Sequence, residues 1–402
     1  MQGPIISIDI SDGSSHFLGF KMNGKKFGKV HKIEHDVDGF RFLLESIQKL
    51  KDATGEEVCV VYEATGVYTA PVQRFLYKNN IRQYEINPLE SARKRKETLH
   101  NKKTDKLDPI AISKVYYERE KELRERKKTS DTYTWLRDKN RLYEDRINHL
   151  RKYKVSFQNK LSICFPGFLK LFMDGYSDIP MVILKKYPHP DLLKNKKPET
   201  VARYIEKNTC HTNKTALKYA KKVIEFANKT YPGCEKDDVE VEDLKLLLDK
   251  VIETKKECDE ILDEMIIAAS TLEEYRFILS IDGIGPNLAA RIIAEIGRIE
   301  DFRSREALVA YAGLDPHIAQ SGDVSGEHLP ISKKGNKYLR CLLYLAVTCS
   351  IRGKKENPVN TFYKKKKQQT NPLNSKAAKT ACTAKMLKII YGMCKNKTVY
   401  QY

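Results

Sequence analysis

Short apolar runs and helical repeats alternate along residues 1–128. The segment "PIISIDIS" predicts a buried strand, and "SHFLGFKMNGKKFGKVHKIEHD" predicts two more strands joined at Asn23-Gly24, a strong hairpin signal. Then "VDGFRFLLESIQKL" has helical spacing, "EEVCVVYEA" is typical of a buried strand, "YTAPVQRFLYKNN" of a helix and "IRQYEINP" of another strand, before a basic helical stretch. The pattern predicts an α/β domain with three antiparallel strands followed by helix, strand, helix and strand.

That order of elements is typical of an RNase H-like (RuvC-like) fold. In such a fold the first strand lies at the sheet centre, beside the strand that follows the first helix. Asp9 on the first strand and Glu63 at the end of "CVVYE" are therefore expected to be neighbours. If "TDKLDPIAISKVYYERE" is helical, Asp105 and Asp108 lie one turn apart on one face.

These four carboxylates predict a metal site at the sheet. Clustered carboxylates repel one another unless cations neutralise them, and two Mg²⁺ ions bridged by such a set stabilise the attacking and leaving oxygens of phosphodiester chemistry. Each acid alone is more often a helix cap or a solvated side chain. Their joint order on the expected elements favours the metal site.

Residues 129–276 have a different hydrophobic pattern, with a charge-rich helical repeat at both ends. Apolar positions recur at helical intervals in two sets: Leu136, Tyr143, Ile147, Leu150, Phe157 and Leu161, then Leu244, Leu248, Val251, Cys258, Leu262, Met265 and Ala269, with Lys255 as the charged exception. We interpret them as two long helices of an antiparallel coiled coil that acts as a spacer or dimerisation element, separated by a less regular insert at about 165–240. An ordinary helical bundle is the alternative.

Residues 277–402 predict a third, mainly α-helical domain. In "LSIDGIGPNLAARIIAEIG", Gly283 and Gly285 permit a tight turn between two short helices and a close approach of backbone amides to phosphate, as in a helix-hairpin-helix element. Further on, "SKKGNKYLR" is a basic helix start whose Lys333, Lys334, Lys337 and Arg340 are candidate phosphate contacts. A G-x-G turn alone is usually only a turn.

Charge indicates a polyanionic partner. The chain has 73 Lys and Arg against 53 Asp and Glu, a formal net charge of +20. Residues 331–402 alone contain 17 Lys and Arg and one acid, Glu356. A basic surface also suits simple solubility or ribosome association, but clustering on this scale favours nucleic acid.

The remaining composition predicts a cytoplasmic protein. No stretch approaches the roughly 18 to 20 apolar residues of a membrane span, and the N-terminal segment has no secretion signal. Nine scattered cysteines without a C-x-x-C pair argue against a disulfide framework and a zinc site, so we expect reduced thiols.

Six motifs together resemble the IS-one-ten (IS110) family of bacterial insertion-sequence transposases, also called bridge-RNA-guided recombinases. They are "IDIS", "VYEATGVYTAPV", "NKKTDKLDPIAI", "GIGPNLAARIIAEIG", "YAGLDPHIAQSG" and "SKKGNKYLRCLL", in the family's order. The resemblance covers residues 4–115 and 277–395. The insert carries no motif that we can interpret.

The resemblance implies roles for individual residues. The family's DEDD set falls on Asp9, Glu63, Asp105 and Asp108 as Mg²⁺ ligands, and its nucleophilic serine falls on Ser321 of "QSGDVSG". Spacing alone does not indicate a nucleophile in that loop. In the family the serine forms a covalent link to the 5′ phosphate of cut DNA, which conserves phosphodiester energy for strand exchange.

The resemblance also implies partners. Donor and target duplex DNA would be chosen by a structured noncoding guide RNA through base pairing, with the protein reading backbone and shape. A homo-oligomer is expected, either a dimer or a dimer of dimers in which the serine of one subunit completes the metal site of another. Such a protein would be bacterial, cytoplasmic and nucleoid-associated, without a membrane partner.

Two alternatives from other classes remain open at this point. A RuvC-like domain with four acids also suits a plain metal-dependent nuclease or junction resolvase, with Ser321 merely in a turn. A nucleic-acid binder with no enzymatic activity is the second alternative, although no acid of the set is missing.

Overall fold

We describe the protein from a computed structural model that covers residues 3–96, 108–123, 125–126, 131–316, 330–353 and 356–401. The chain divides into two compact units, residues 1–129 and 130–402. The second unit includes both regions that the sequence separates at residue 277, so that division stays a prediction.

The first unit is built on a five-stranded mixed sheet. Its strands are β1 (Ile5–Ser11), β2 (Ser14–Phe20), β3 (Lys26–Glu34), β4 (Cys59–Glu63) and β5 (Gln83–Ile86). The order across the sheet is β3-β2-β1-β4-β5, with antiparallel β1/β2 and β2/β3 pairs and parallel β1/β4 and β4/β5 pairs. This topology is consistent with an RNase H-like domain and matches the strand order and directions expected from the sequence.

Four helices of the first unit follow the predicted pattern. They are α1 (Val37–Thr54), α2 (Thr69–Lys78), α3 (Pro88–Lys96) and α4 (Asp108–Arg119). Helix α1 begins where the Asp36 side chain accepts the Gly39 N–H, and it ends at Gly55 in the left-handed region, φ 70°. Alternate residues of a strand point to opposite sides of the sheet, and on both sides these residues are part of an apolar core.

The second unit is helical in its described parts. Its helices are α5 (Asp131–Cys164), α6 (Asp178–Lys186), α7 (Pro198–Asn208), α8 (Asn213–Lys229), α9 (Val239–Ser270), α10 (Glu273–Leu279), α11 (Pro286–Ile296), α12 (Arg305–Tyr311), α13 (Lys337–Arg352), α14 (Pro358–Lys367) and α15 (Ser375–Asn396). None of the helices in the described ranges combines the length and the apolar character that a membrane span requires.

Helices α5 and α9 are the two long helices that the apolar repeat predicts, and they pack antiparallel. Ion pairs join Lys160 to Asp243 at 3.0 Å, Arg146 to Glu257 at 3.2 Å, and Lys139 to Glu264. Residues near the end of α5 therefore pair with residues near the start of α9, as antiparallel packing requires. The repeat positions of α9 are buried except at Lys255. There Thr254 is buried instead, and the Lys255 Nζ donates to the Tyr176 carbonyl at 3.3 Å.

The insert between these helices is more regular than the sequence suggested. Residues 165–238 contain α6, α7 and α8, which enclose a core with the adjoining halves of α5 and α9. Aromatic side chains fill the core near the end of α5, where Phe165 and Phe168 are fully buried with ring centroids 4.9 Å apart. Expecting a less regular insert was therefore wrong, because its proline-rich connections obscured three short amphipathic helices.

The other half of α5 and α9 packs on the C-terminal helices. Helix α11 is central to this second core, since eight of its residues, Leu288, Ala289, Ala290, Ile292, Ile293, Ala294, Glu295 and Ile296, are buried. The core continues through Leu339, Leu343 and Val347 of α13 and Met386 and Ile390 of α15. One polar residue, Glu295, thus lies inside an otherwise apolar helix face.

Candidate functional site

Asp9 and Glu63 lie on adjacent strands and face the same side of the sheet. The parallel β1/β4 register pairs Ile8 with Tyr62, and the next residue of each strand is one of the two acids. Ile8 and Tyr62 belong to the core beneath α1 and α2, so the acids point to the opposite face. The neighbourhood expected from the sequence is confirmed by this strand pairing.

The Glu63 carboxylate is held by a serine that the sequence did not single out. Glu63 is 8% exposed, and the fully buried Ser91 of α3 donates its hydroxyl hydrogen to Glu63 Oε2 at 2.5 Å. This hydrogen bond orients the carboxylate from outside the sheet. Ser91 lies in a basic stretch of "PLESARKRK" and shows no spacing signal that distinguishes it from a solvated helix residue.

Asp108 is placed on the same face of the sheet as Asp9 and Glu63. It is the first residue of α4 and is 6% exposed. Helix α4 packs through Ile112 and Val115 against Ile5 and Val61. Ile5 is four residues before Asp9 and Val61 is two before Glu63, so these apolar side chains share the face of the acids. Asp105 lies outside the described residues, so its pairing with Asp108 stays a prediction.

Helices α3 and α4 are tied together on either side of residues 97–107. Lys94 pairs with Glu118 at 2.7 Å, and Arg119 pairs with Glu90. Lys94 belongs to the basic stretch "ARKRK" ahead of Asp105, and the structure gives it an ion pair within the first unit. These pairs join α3 to α4, the two helices that flank the segment containing Asp105.

The three described acids have the chemistry of hard-cation ligands. Carboxylate oxygens are the donors that Mg²⁺ and similar divalent cations prefer. Within the described ranges, no group of three or more His, Cys, Asp or Glu side chains is arranged closely enough to hold a metal ion. The donor type therefore fits a divalent cation, and the complete predicted set includes Asp105 from outside those ranges.

Ser321 and Gly322 also lie outside the described residues, but both ends of their loop are described. The chain before it and the chain after it pair as a short antiparallel bridge between Pro316 and Ile331. Ser332 donates its N–H to the Asp315 carbonyl at 2.8 Å and its hydroxyl to Asp315 Oδ1 at 2.6 Å. The described residues on the two sides of 317–329 are therefore held together.

A glycine permits the two sides of this base to cross closely. A Cβ atom on Gly335 would overlap with the carbonyl oxygen of Tyr311 and lie 2.6 Å from the Gly313 nitrogen. Asn336 then donates its N–H to the Tyr311 carbonyl at 2.8 Å. We refer below to residues 311–316 and 330–336 as the loop base.

The candidate phosphate contacts differ in their surroundings. Lys333, Lys334 and Lys337 are exposed. Arg340 is half-buried and donates to the Ala312 carbonyl at 2.8 Å, so its guanidinium stabilises the loop base. A phosphate role for these four residues stays a prediction.

The two glycines of the predicted helix-hairpin-helix turn also differ. Gly283 has φ 93°, and a Cβ there would lie 2.5 Å from the Ser350 nitrogen, so the residue is required for close packing of the turn on α13. Gly285 precedes α11, and a Cβ there would meet no atom within 4 Å. The open space at Gly285 therefore suits the expected approach of a backbone amide to phosphate, whereas Gly283 is packed against α13.

The C-terminal helices combine lysines with aromatic rings. Lys366 and Lys385 lie over the Phe362 ring at 5.5 and 4.9 Å, and Lys379 lies over the Tyr344 ring at 5.8 Å. Lys364–Lys367 form the last turn of α14. Basic groups interleaved with aromatic side chains are typical of surfaces that bind nucleic-acid backbones.

Comparison with known proteins agrees with this arrangement. A family model for transposases of the DEDD IS110 type matches residues 6–166, and one described as the transposase IS116/IS110/IS902 family matches residues 275–364. DEDD transposase domains are generally dependent on divalent metal ions. The first match spans β1, β4 and α4, which position the three described acids, and the second spans the loop base.

Two curated proteins are similar to parts of the chain. A putative transposase of Sinorhizobium fredii is 29% identical over 154 residues, which are 37% of this chain and 38% of that protein. A 44.8 kDa protein of insertion element IS116 from Streptomyces clavuligerus is 23% identical over 239 residues, 59% of this chain and 57% of that protein. The chain thus spans between about two fifths and three fifths of the length of these relatives. The two family matches, in their order along the sequence, show that the chain belongs to the IS116/IS110/IS902 family of transposases.

Proposed function

We propose that the protein is a DNA transposase that excises and inserts an insertion sequence by metal-assisted cleavage and exchange of DNA strands. The observation that carries the proposal is the placement of Asp9, Glu63 and Asp108 on one face of an RNase H-like sheet. That face lies within the match to the DEDD transposase model. An ordinary structural role does not require three acids, two of them buried and Asp9 partly buried, on a common face.

The divalent cations, which we take to be two Mg²⁺ ions, would be held by the carboxylates of Asp9, Glu63, Asp105 and Asp108. Bound there, the metal would neutralise charge on the scissile phosphate. The protein's own contribution is orientation: Ser91 holds the Glu63 carboxylate, and the α4 start holds Asp108 near the sheet.

Ser321 is proposed as the nucleophile. Its Oγ would attack the phosphorus, forming a phosphoserine ester with the 5′ end while the bond to the 3′ oxygen breaks and that oxygen takes up a proton. Attack by the freed 3′ hydroxyl of another strand reverses the step and releases the serine, so no external energy source is needed. The closed loop base supports this role, because described residues hold together the two ends of the segment that contains the serine.

The proposed partners are donor and target DNA and a structured noncoding bridge RNA. Residues 331–402 contain 17 Lys and Arg and one acid, and some of the lysines lie over aromatic rings. This composition supports broad contact with phosphate backbones. A protein that delegates sequence choice to base pairing needs such a surface more than base-reading side chains. The protein would act in the bacterial cytoplasm at the nucleoid.

The α5/α9 pair supports a proposed coiled-coil role in assembly. The two helices bury an apolar seam and expose charged side chains together with the apolar Val155, Leu246 and Ile267, so a second copy could pack on them. A dimer or a dimer of dimers would bring the serine of one subunit to the acids of another.

A metal-dependent nuclease or junction resolvase is the second candidate. The acids alone support it, because their chemistry does not depend on Ser321. A binding protein without catalysis is the third and would be favoured by nucleic-acid binding that Asp9→Ala leaves unchanged, with no cleavage under any metal or guide condition.

A covalent-adduct experiment separates these candidates. The protein would be co-expressed with the noncoding flanks of its gene, incubated with DNA spanning the element junction and Mg²⁺, and denatured. The transposase reading predicts a denaturation-resistant protein–DNA species that is lost in Ser321→Ala and Asp9→Ala and kept in Ser325→Ala, a serine control in the same loop. Free cut ends without an adduct, unaffected by Ser321→Ala, would leave a nuclease.

A further inference from the structure

We propose that Glu295 is a positioning residue that fixes the loop base, residues 311–316 and 330–336, against α5. The role in chemistry rests on the proposed function of Ser321. The anchoring itself concerns described residues only.

Glu295 is a fully buried carboxylate with a donor on each side. Its Oε1 accepts from Asn140 Nδ2 at 2.6 Å, and its Oε2 accepts from Arg141 Nη2 at 2.8 Å and from Asn336 Nδ2 at 2.7 Å. A buried charge is tolerated only when it is paired and hydrogen-bonded in this way. The three donors come from α5 and from the residue before α13, so one side chain joins three parts of the chain.

Both sides of the loop base bond to Glu295. On the side before the loop, the Tyr311 hydroxyl donates to the Glu295 carbonyl at 3.2 Å. On the side after the loop, Asn336 donates to the Glu295 side chain and accepts the N–H groups of Tyr338 and Leu339 through its own Oδ1. Asn336 therefore caps α13 and anchors the loop base with opposite ends of one amide.

The α5 side of the network is itself held in place. Asn140 is fully buried, and its Oδ1 accepts from Arg291 Nε at 2.9 Å. Arg291 pairs with Glu144, and the Arg141 guanidinium stacks on the Tyr338 ring at 3.6 Å from the ring centroid. The network therefore fixes the position of the loop base relative to one face of α5, a helix of 34 residues.

Stability alone does not account for this arrangement. The other buried residues of α11 are apolar, and replacing a buried ionic cluster with packed apolar groups is often neutral or stabilising. What hydrogen bonds add is direction, since each constrains both distance and angle. A loop that must present a hydroxyl to a phosphate needs that constraint at its base.

The test exchanges donor and acceptor between two residues. Asn336→Asp keeps an oxygen that caps α13 but removes the amide donor and places a carboxylate against Glu295. Glu295→Gln keeps the shape but places an amide against the Asn336 amide. Combining Glu295→Gln with Asn336→Asp turns the new amide toward the new carboxylate, which also offers an oxygen to the Arg141 donor that shared Glu295 Oε2, so donors again face acceptors. The control is Asn357→Asp, which alters another buried Asn cap, that of α14, away from the loop base.

Two readouts are compared in the full-length protein. Hydrogen exchange is measured for peptides that contain the loop base, where the amides of Ser332, Lys333 and Asn336 are bonded. The serine–DNA adduct is measured with DNA affinity. We expect each single variant to speed exchange about tenfold and to lower adduct formation about 100-fold at unchanged DNA affinity, the double variant to recover much of both, and the control to change neither.

Other outcomes overturn the inference. Unchanged exchange in both single variants would show that Glu295 does not anchor the loop base. Losses that Asn357→Asp reproduces, or that the double variant fails to rescue, would show a general loss of stability instead. If the wild-type protein forms no adduct, the proposed serine chemistry fails, and the exchange rates alone decide the anchoring.

Discussion

The acid-bearing face of the first unit and the loop base of the second unit position their residues in different ways. Asp9, Glu63 and Asp108 are set by strand register and a helix start, which involve regular main-chain geometry. The loop base depends on irregular backbone bonds and a buried side-chain network. Regular elements place an acid through periodicity alone, whereas a loop needs specific distant partners, and four predictions test that difference.

The largest effect is expected from Asp9→Asn, which keeps the shape and removes the charge. Loss of one carboxylate from a metal-binding set removes about 3 to 4 kcal/mol of transition-state stabilisation, or about 100- to 1000-fold in rate. Single-turnover cleavage with Mg²⁺ would measure it. Asp12→Asn, at the exposed turn after β1, is the matched control; cleavage by Asp9→Asn within tenfold of wild type would contradict the metal site.

Gly335→Ala should have the largest effect on stability. The added Cβ meets backbone atoms that cannot move independently, so we expect the free energy of unfolding to fall by about 2 to 3 kcal/mol. Gly285→Ala, in open space at φ −90°, should change it by less than about 0.5 kcal/mol. Urea unfolding measures both, and equal effects would show that the loop base is not tightly packed.

Ser91→Ala tests whether the acid face also relies on a distant partner. Removing the hydroxyl leaves a buried carboxylate oxygen without its strong donor, which costs about 1 to 3 kcal/mol. Ser46→Ala, whose hydroxyl donates to a carbonyl of its own helix at 2.8 Å, should cost less than about 1 kcal/mol. If the two variants unfold alike, strand geometry alone is enough to hold Glu63.

The smallest effect concerns thiol labelling in the C-terminal helical core. Burial raises the pKa of Cys394 to about 12 and that of Cys382 to about 11, so little thiolate is present at pH 8. Cys341 and Cys349 are exposed. Mass spectrometry after brief alkylation should find label on the exposed pair and not on the buried pair; rapid labelling of Cys394 would show that the helical core opens readily.

Much of the fold follows from sequence periodicity. Alternation and turn residues predict the five strands and the first four helices, and the apolar repeat predicts α5 and α9 as a pair. The adjacency of Asp9 and Glu63 follows from that order. These features depend on local geometry, which neighbouring residues largely determine.

The parts that were missed depend on contacts between distant residues. Ser91 and Glu295 look like ordinary polar residues of a helix, and only tertiary packing shows that both are buried and bonded. Lys255 breaks the apolar repeat, yet packing continues because the adjacent Thr254 is buried in its place. The helices of the insert were missed because the proline-containing stretches "KKYPHPD" and "NKTYPG" obscured the helical spacing of the residues before and between them.

The antiparallel pairing of α5 and α9 has a mechanical consequence. A helix of 34 residues is about 50 Å long at 1.5 Å per residue. The network around Asn140 grips α5 near its first turns, while the insert packs on its last turns. Asn140 lies about 36 Å from the last residue of α5, so a tilt of about 5° at this network would displace that end of the helix by about 3 Å. Pressure on the insert would reach the loop base as a small rotation.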